Sequence, residues 1–501
     1  MMIDNFNSNK TIFIYISKTG LSVKQLLNND LLEKLILNNK IIILSHFIIP
    51  ESIKNQFDNN ISFYFIDDKL ELEITKSKTF KFFNFFRQFI YNRKNNNVTI
   101  EDFNKIFLNE KRRNFKFFLF EYSFVLVWTI LRYFFGNFKI LRIIFNYIDT
   151  KLHTNNQIED LIEKYNPNIL LTSSPGFLDY DFSIVNSFKK HNLKTASLLL
   201  SWDHSSGLGL IRSKTDFYFV WGENSKNDLI KFNDIEKNKI FVSGPLHWNY
   251  HFNDKLLDKK NIFFKENHLN INLKTILISL KSPTRTDINE IISFLSFLKD
   301  LSIKIKCQYI IKPHPINYSN VFTNDLEKIK KFCIKNKNFI LSKTFFDHQN
   351  TNKSKNLISK KNGFIEDIFY NDKNEKKYLY NLLEHSDLMI NFFSTLNIEA
   401  AIHNLPSINF IFEEHKKSQK IGKNRKNLYL DYGQTHNYRL VNTGGSEVCN
   451  TKKELIISIN KFLKDKDFNK EKRYEMLLNE ININDQLPTE NFIKFFKKIV
   501  K

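Results

Sequence analysis

Asp387–Phe412 reads DLMINFFSTLNIEAAIHNLPSINFIF, and the reading of this stretch decides the fold. Asp387–Phe393 is an apolar run of the length of a buried parallel strand and too short for a helix. Ser394 and Thr395 stand next, where a helix N-cap is expected. Leu396, Ile398, Ala400, Ala401 and Ile402 follow at helical spacing, and His403-Asn404 with the breaker Pro406 close the helix. Ser407–Phe412 is the next strand. In an open α/β sheet, ligands sit beyond the carboxyl ends of strands, where helix N-termini turn backbone N–H groups toward anions. Two hydroxyls at such a terminus, with Glu399 one turn further on, suit a nucleotide diphosphate: hydroxyls and amides on phosphate, carboxylate on ribose. The same residues also make an ordinary capped βαβ unit with a solvated glutamate.

Working outward, the second half of the chain repeats this alternation. Thr275–Leu280 is a strand with the loop Lys281-Ser282-Pro283-Thr284-Arg285, and a helix follows over about Ile288–Leu298. Gln308–Lys312 is a strand ending in Pro313-His314-Pro315, and Asn338–Leu341 is short and strand-like. Gln349 to about Lys377 is rich in Asn and Lys and reads as a solvated loop insertion. Helices at Lys452–Leu463 and Pro488–Ile499 close the chain.

The first half is built alike. Thr11–Ser17, Ile41–Ser45, Ile61–Ile66, Ile169–Thr172, Thr195–Leu200, Asp216–Trp221 and Lys239–Ser243 are apolar strand-length runs. The Lys18-Thr19-Gly20 turn opens a helix expected to reach about Leu37. Strands alternating with helices predict two parallel, doubly wound sheets, one on each side of the polar break Gly244–Asn272, with a cleft between them. Lys76–Asp149 interrupts the first series. It is helical in character, basic and crowded with aromatics, including FKFFNFFRQFIYNRK. Phe117–Leu131 is apolar but shorter than the ~18–20 residues a membrane span needs. Phe, Trp and Tyr interleaved with Lys and Arg suit an anionic membrane surface. A buried helical pair covering one sheet face fits the same pattern.

Composition sets the remaining bounds. The 501 residues suffice for two or three cores. The 51 Phe against 12 Gly and 9 Pro suggest A/T-rich codon usage, which accounts for part of the lysine excess behind the net charge of +22. A basic surface still favours polyanions. No RNA- or DNA-binding motif is present, so nucleic acid is not expected as a partner. Cys307, Cys333 and Cys449 lie far apart without companion histidines, so neither a disulfide framework nor a metal site is expected. The polar start MMIDNFNSNK shows no secretory signal, and a cytoplasmic location is expected.

Four loops fall at strand carboxyl ends: SWDHSSG, KSPTR, KPHP and FFST. Arg285 offers a bidentate fork for phosphate, His314 between two prolines is a preset donor, and Ser394-Thr395 add hydroxyls. Through these residues, with Glu399, the chain resembles the GT-B glycosyltransferase superfamily over roughly Ile169–Leu463. Within it the chain looks like surface-carbohydrate enzymes, CDP-glycerol glycerophosphotransferases, capsule Kdo transferases and bacterial sialyltransferases. The resemblance implies two facing Rossmann-like domains: an acceptor-side domain over 1–250 carrying the helical insertion 76–149, and a nucleotide-donor domain over 251–485, followed by a helix over 486–501. It implies donor binding by Arg285, His314, Ser394, Thr395 and Glu399 without a metal or cofactor. The donor is expected to be CMP- or CDP-linked, and the acceptor a cell-surface glycan or lipid at the inner membrane face.

An inverting transfer needs one base for the acceptor hydroxyl, and Asp203 or His204 in SWDHSSG suits that role. Asp203 as a helix cap and His204 as a packed loop histidine remain the alternative. SWDHSSG departs from the acidic pair of sialyltransferases and from the histidine-glycine loop of CDP-glycerol enzymes, which leaves sugar against polyol phosphate open. Asp179-Tyr180-Asp181 and Asp465-Lys466-Asp467 both match the short DxD metal pattern, so that pattern carries little here. Two other functions compete: a non-hydrolysing nucleotide-sugar 2-epimerase, which shares the layout, and a non-catalytic polyanion binder.

Overall fold

The computed structural model describes residues 10–17, 19–27, 30–37, 39–57, 60–87, 130, 133–173, 181–207, 209–283, 286–318, 322–343, 372–412, 428–483 and 486–500. The chain divides into two compact units. One holds Met1–Asn249 and Ile481–Lys501, the other Tyr250–Asn352 and Asn371–Glu480.

The first unit is a seven-stranded parallel sheet. Its strands are β1 (Lys10–Ile16), β2 (Asn39–Ser45), β3 (Ile61–Phe65), β4 (Ile169–Thr172), β5 (Lys194–Leu198), β6 (Phe217–Val220) and β7 (Ile240–Val242). They lie in the order β3-β2-β1-β4-β5-β6-β7. With helices on both faces, the inner strands are buried without alternation, as the last five residues of β1 and of β2 show. Phe13, Tyr15, Ile42, Leu44 and Leu170 pack on one face against Ile184, Val185 and Phe188 of the helix Asp181–Lys190. The C-terminal helix Pro488–Val500 belongs to this unit. Phe492 lies 4.5 Å (ring centroids) from Phe219 of β6, and Lys194 Nζ donates to the Ile499 carbonyl at 2.9 Å. Gly244 after β7 has φ +82°, and a Cβ there would meet Pro488 at 3.1–3.2 Å. A side chain at 244 would therefore be strained and would push this helix away.

The second unit is a six-stranded parallel sheet. It comprises β8 (Lys274–Ser279), β9 (Cys307–Lys312), β10 (Phe339–Leu341), β11 (Leu388–Asn391), β12 (Ser407–Phe410) and β13 (Glu447–Cys449). The order is β10-β9-β8-β11-β12-β13. Ile276 and Ile278 of β8 join Phe294, Tyr309, Ile390 and Phe410 on one face, while Leu277 joins Phe264, Ile310, Leu382 and Met389 on the other. Two doubly wound parallel sheets are what the strand–helix alternation predicts.

Several expectations need correction. The helix expected over 20–37 is two, Gly20–Leu26 and Leu31–Ile36, the second with Asp30, a residue type favoured at helix starts over helix interiors, at its N-cap. The polar break after Gly244 contains the helix Lys260–Glu266. The expected loop insertion ends earlier, since residues 372–385 are helical. Helices Thr435–Asn442 and Lys470–Ile481 and strand β13 were not expected. Of the insertion, Lys78–Arg87 and Lys139–Leu152 are helices, and Phe117–Leu131 lies outside the described residues but for Ile130. No described helix is long and apolar enough to cross a membrane.

Candidate functional site

In the second sheet the strand order reverses between β8 and β11: β9 and β10 lie beyond β8, β12 and β13 beyond β11. That reversal opens a crevice at the carboxyl edge, the usual ligand position in doubly wound sheets. The loops KSPTR, KPHP and FFST leave β8, β9 and β11, three neighbouring strands that flank the reversal. Sequence alone places these loops at strand ends; the pairing makes them neighbours.

Each loop is held in its own way. Lys281, buried after β8, pairs with Asp431; Thr284 and Arg285 lie outside the described residues. After β9, the His314 carbonyl accepts from Asn317 N at 2.8 Å and its Nδ1 accepts from Ile316 N at 3.2 Å. A neutral imidazole accepting at Nδ1 carries its hydrogen on Nε2, so His314 is set to donate from that nitrogen. After β11, Phe393 takes a left-handed conformation, φ +52°, that a bulky residue adopts only when its surroundings impose it. Phe393 N donates to Asn409 Oδ1 at 3.0 Å; Asn409 in turn binds Ser446 at 2.7 Å and Asn397 at 3.1 Å. All three of those polar residues are buried.

The helix Leu396–Ile402 starts here, and the hydroxyl that caps it is Ser394, which accepts from Leu396 N at 3.3 Å. Ser394 also donates to Asn391 Oδ1 at 2.9 Å, so its hydrogen is committed to the turn. Thr395 makes no cap bond through its side chain.

Glu399 leads into an array that sequence reading missed. Its Oε2 accepts from Tyr250 at 3.3 Å and from His251 Nε2 at 3.1 Å. His251 Nδ1 meets His403 Nε2 at 2.9 Å, and His403 Nδ1 meets Glu384 Oε2 at 3.0 Å. Burial pushes His251 down to about 4, against the opposing pull of Glu399, so its ring is neutral near pH 7. A neutral His251 that donates to Glu399 from Nε2 accepts from His403 at Nδ1. The His403 hydrogen bond holds the Glu384 carboxyl below its usual range. Both contacts of Glu399 go to Oε2, which leaves Oε1 for a further donor such as a ribose hydroxyl.

This array predicts acid sensitivity. The unfolded chain takes up a proton at residue 251 near pH 6.5, and the folded chain does so near 4. The stability held by a neutral His251 is complete above about pH 6.5 and lost as pH falls toward 4, in all about 3 kcal/mol. Glu384 adds in the same direction in the range below its unfolded pKa. Urea midpoints from pH 7 to 4.5 should fall steeply in the wild type and less in His251→Gln; equal slopes would rule the array out as the cause.

In the first unit, β5 runs into Leu199, Leu200 and the one-turn helix His204–Gly207. Ser205 Oγ donates to Asp228 at 2.9 Å, and the Asp203 carbonyl accepts from Gly207 N at 2.8 Å. The Asp203 carboxylate accepts from the Ser201 hydroxyl. Burial lowers the His204 pKa, with Asp203 opposing, so the ring is a neutral acceptor at pH 7. The residue as a whole is half-buried, and its Nδ1 is buried. Of the DxD matches, Asp181 is fully buried, Asp179 lies outside the described residues, and Asp465 and Asp467 form a surface turn.

No family model and no curated protein matches this sequence. Solved structures match over the whole chain. A glycosyltransferase from Rickettsia africae is 13% identical with a TM-score of 0.51, over 99% of both chains. The UDP-GlcNAc 2-epimerase from Neisseria meningitidis, bound to UDP-GlcNAc, is 10% identical with a TM-score of 0.51, over 98% of this chain and 100% of that one. A UDP-N-acetylglucosamine 2-epimerase assigned in Listeria monocytogenes is 11% identical with a TM-score of 0.50, over 98% and 96%. The fold is GT-B. At these identities the likeness reaches no further than fold, and the narrower likeness to cytidine-nucleotide enzymes rests on the short loop motifs alone.

Proposed function

We propose that this protein is a metal-independent glycosyltransferase that moves a sugar, or a polyol phosphate, from a cytidine-type nucleotide donor to a cell-surface glycan or lipid-linked acceptor. The observation that carries the reading is the placement of KSPTR, KPHP and FFST on β8, β9 and β11, around the reversal of strand order. His314 Nε2, Arg285, Thr395 and the amides of the FFST turn donate to the leaving phosphate, and Glu399 Oε1 accepts from the ribose. Ser394 acts by shaping that turn. In the first unit His204 takes the acceptor's hydroxyl proton. The acceptor oxygen then bonds to the anomeric carbon as the carbon–phosphate oxygen bond breaks, and the electron pair leaves with the nucleotide.

A second reading is favoured by the epimerase neighbours: conversion of a nucleotide sugar at C2 with no acceptor. One experiment separates the two. Nucleotide sugars are incubated with the protein, with and without a lipid-extracted acceptor fraction, each in the presence and absence of EDTA. Acceptor-dependent nucleotide release that survives EDTA is the expected result. Acceptor-free conversion of the sugar replaces transfer by epimerisation, and release abolished by EDTA overturns the metal-independent site.

A further inference from the structure

The helix Lys139–Leu152 is amphipathic with its charged face turned inward. Arg142, Phe145 and Asp149 are its buried residues. Arg142 is bidentate to Asp234 at 2.6 and 2.8 Å, and Asp149 is bidentate to Arg212 at 2.7 Å. Outward it presents Ile140, Ile143, Ile144, Tyr147, Ile148 and Leu152, each 43–64% exposed. They recur at helical spacing and form one continuous stripe along the helix. Isolated exposed apolar residues are ordinary; an unbroken stripe of six marks an interaction surface.

Charge beside the stripe says what it meets. A hollow of about 490 Å³ opens along the same helix, lined by Ile143 and Tyr147 of the stripe and by Lys151, Lys189, Lys190 and Lys214. Among the described residues no carboxylate lines it. The nearby acids have other duties: Asp234 holds Arg142, Asp216 accepts from Thr195, and Glu159 pairs with Lys190. Burial pushes Lys214 down to about 8; Asp234 opposes this, and Arg142, Lys139 and Lys189 add to it. Burial likewise lowers Lys189. An anion in the hollow would favour the charged forms of Lys189 and Lys214.

We propose that the helix Lys139–Leu152 lies in the plane of an anionic membrane, its isoleucine stripe in the acyl boundary and a lipid phosphate headgroup in the lysine-lined hollow. A helix with apolar residues on one face and lysines at the border of that face suits this interfacial position. A neutral protein partner would match the stripe but not the four lysines. The proposal is independent of the transferase reading, since it uses neither nucleotide nor catalysis.

The test is flotation of the full chain with phosphatidylcholine vesicles, alone or containing phosphatidylglycerol. Binding is expected only with the anionic lipid and should fall as salt rises. Lys151→Gln with Lys190→Gln, both at exposed positions, should lower the partition coefficient about 30-fold. Ile144→Asn with Ile148→Asn should abolish flotation. On the wild type, anionic vesicles should slow acetylation of Lys151 and Lys190, which locates the contact even if a variant does not fold. Absent flotation, equal flotation on neutral vesicles, or unprotected lysines would overturn the proposal. So would a dimer in solution that Ile144→Asn dissociates, because the stripe would then be a self-association face.

Discussion

His204→Ala should lower turnover by about 10²–10⁴ while leaving nucleotide affinity close to that of the wild type. The range is that of a general base whose proton acceptor is removed. The sign of its pH dependence follows from the site. Burial lowers the imidazole pKa, so the base stays unprotonated below the pH at which an exposed histidine charges. The acid limb of kcat/KM should therefore lie below about pH 6.5. Asp203→Ala is the informative neighbour. Asp203 accepts from Ser201 and its carbonyl closes the His204–Gly207 turn. Its loss should disturb the loop and cost less turnover than loss of the ring. If Asp203→Ala costs the larger factor and His204→Ala stays near wild type, the two roles are exchanged. If neither changes turnover, the SWDHSSG loop is not the base.

Breaking the buried Asp149–Arg212 pair is the largest stability effect expected. Asp149 is 2% exposed and Arg212 3%. The guanidinium is bidentate to the carboxylate at 2.7 Å and lies 4.2 Å from the Phe80 ring centroid and 4.0 Å from that of Phe182. Burial raises the Asp149 carboxyl pKa, but hydrogen bonds from His153 and Arg212 outweigh it, and the net result lies below the usual range. Asp149→Ala leaves the guanidinium without its carboxylate in the interior, and Arg212→Ala leaves the carboxylate without its fork. Each should cost about 3–5 kcal/mol by urea unfolding. For a unit of this size that is a fall of roughly 6–20 °C in Tm. The double replacement Asp149→Leu, Arg212→Met should recover a large part of the loss, because no unpaired charge remains. Single variants costing under about 1 kcal/mol would mean that water reaches the pair.

The strands were legible because parallel strands buried on both faces read as continuous apolar runs, as IFIYI in β1 and LMI in β11 show. The site loops were legible as loops, because polar residues and proline follow those runs at once. Their adjacency was not. It depends on β8 lying between β9 and β11, a pairing across about 100 residues that local pattern does not encode. The array Glu399–His251–His403–Glu384 was hidden for the same reason: residue 251 comes from a 3₁₀ segment about 150 positions before its partners. β13 is a three-residue edge strand, EVC, with no apolar run to announce it. Lys139–Leu152 defeated the pattern differently. An apolar stripe ordinarily faces inward, but Asp234 and Arg212 draw Arg142 and Asp149 into the interior instead. The helix 372–385 follows a low-complexity tract, and its first turn, DKNEKK, reads as part of that tract.

The central claim is that the carboxyl edge of β8, β9 and β11 binds the nucleotide of an activated donor. It is tested most directly by thermal unfolding of the wild type and His314→Ala with CMP, CDP, UDP, GDP and inorganic pyrophosphate, in EDTA. A cytidine nucleotide at a hundredfold excess over its Kd should stabilise the wild type by about 2.7 kcal/mol. The other nucleotides should do less, and pyrophosphate least. His314→Ala removes a donor to the phosphate and should need about ten- to a hundredfold more nucleotide for the same shift. Melting temperatures that no nucleotide moves, that pyrophosphate moves as far as CMP or CDP, or that His314→Ala leaves unchanged would contradict the account.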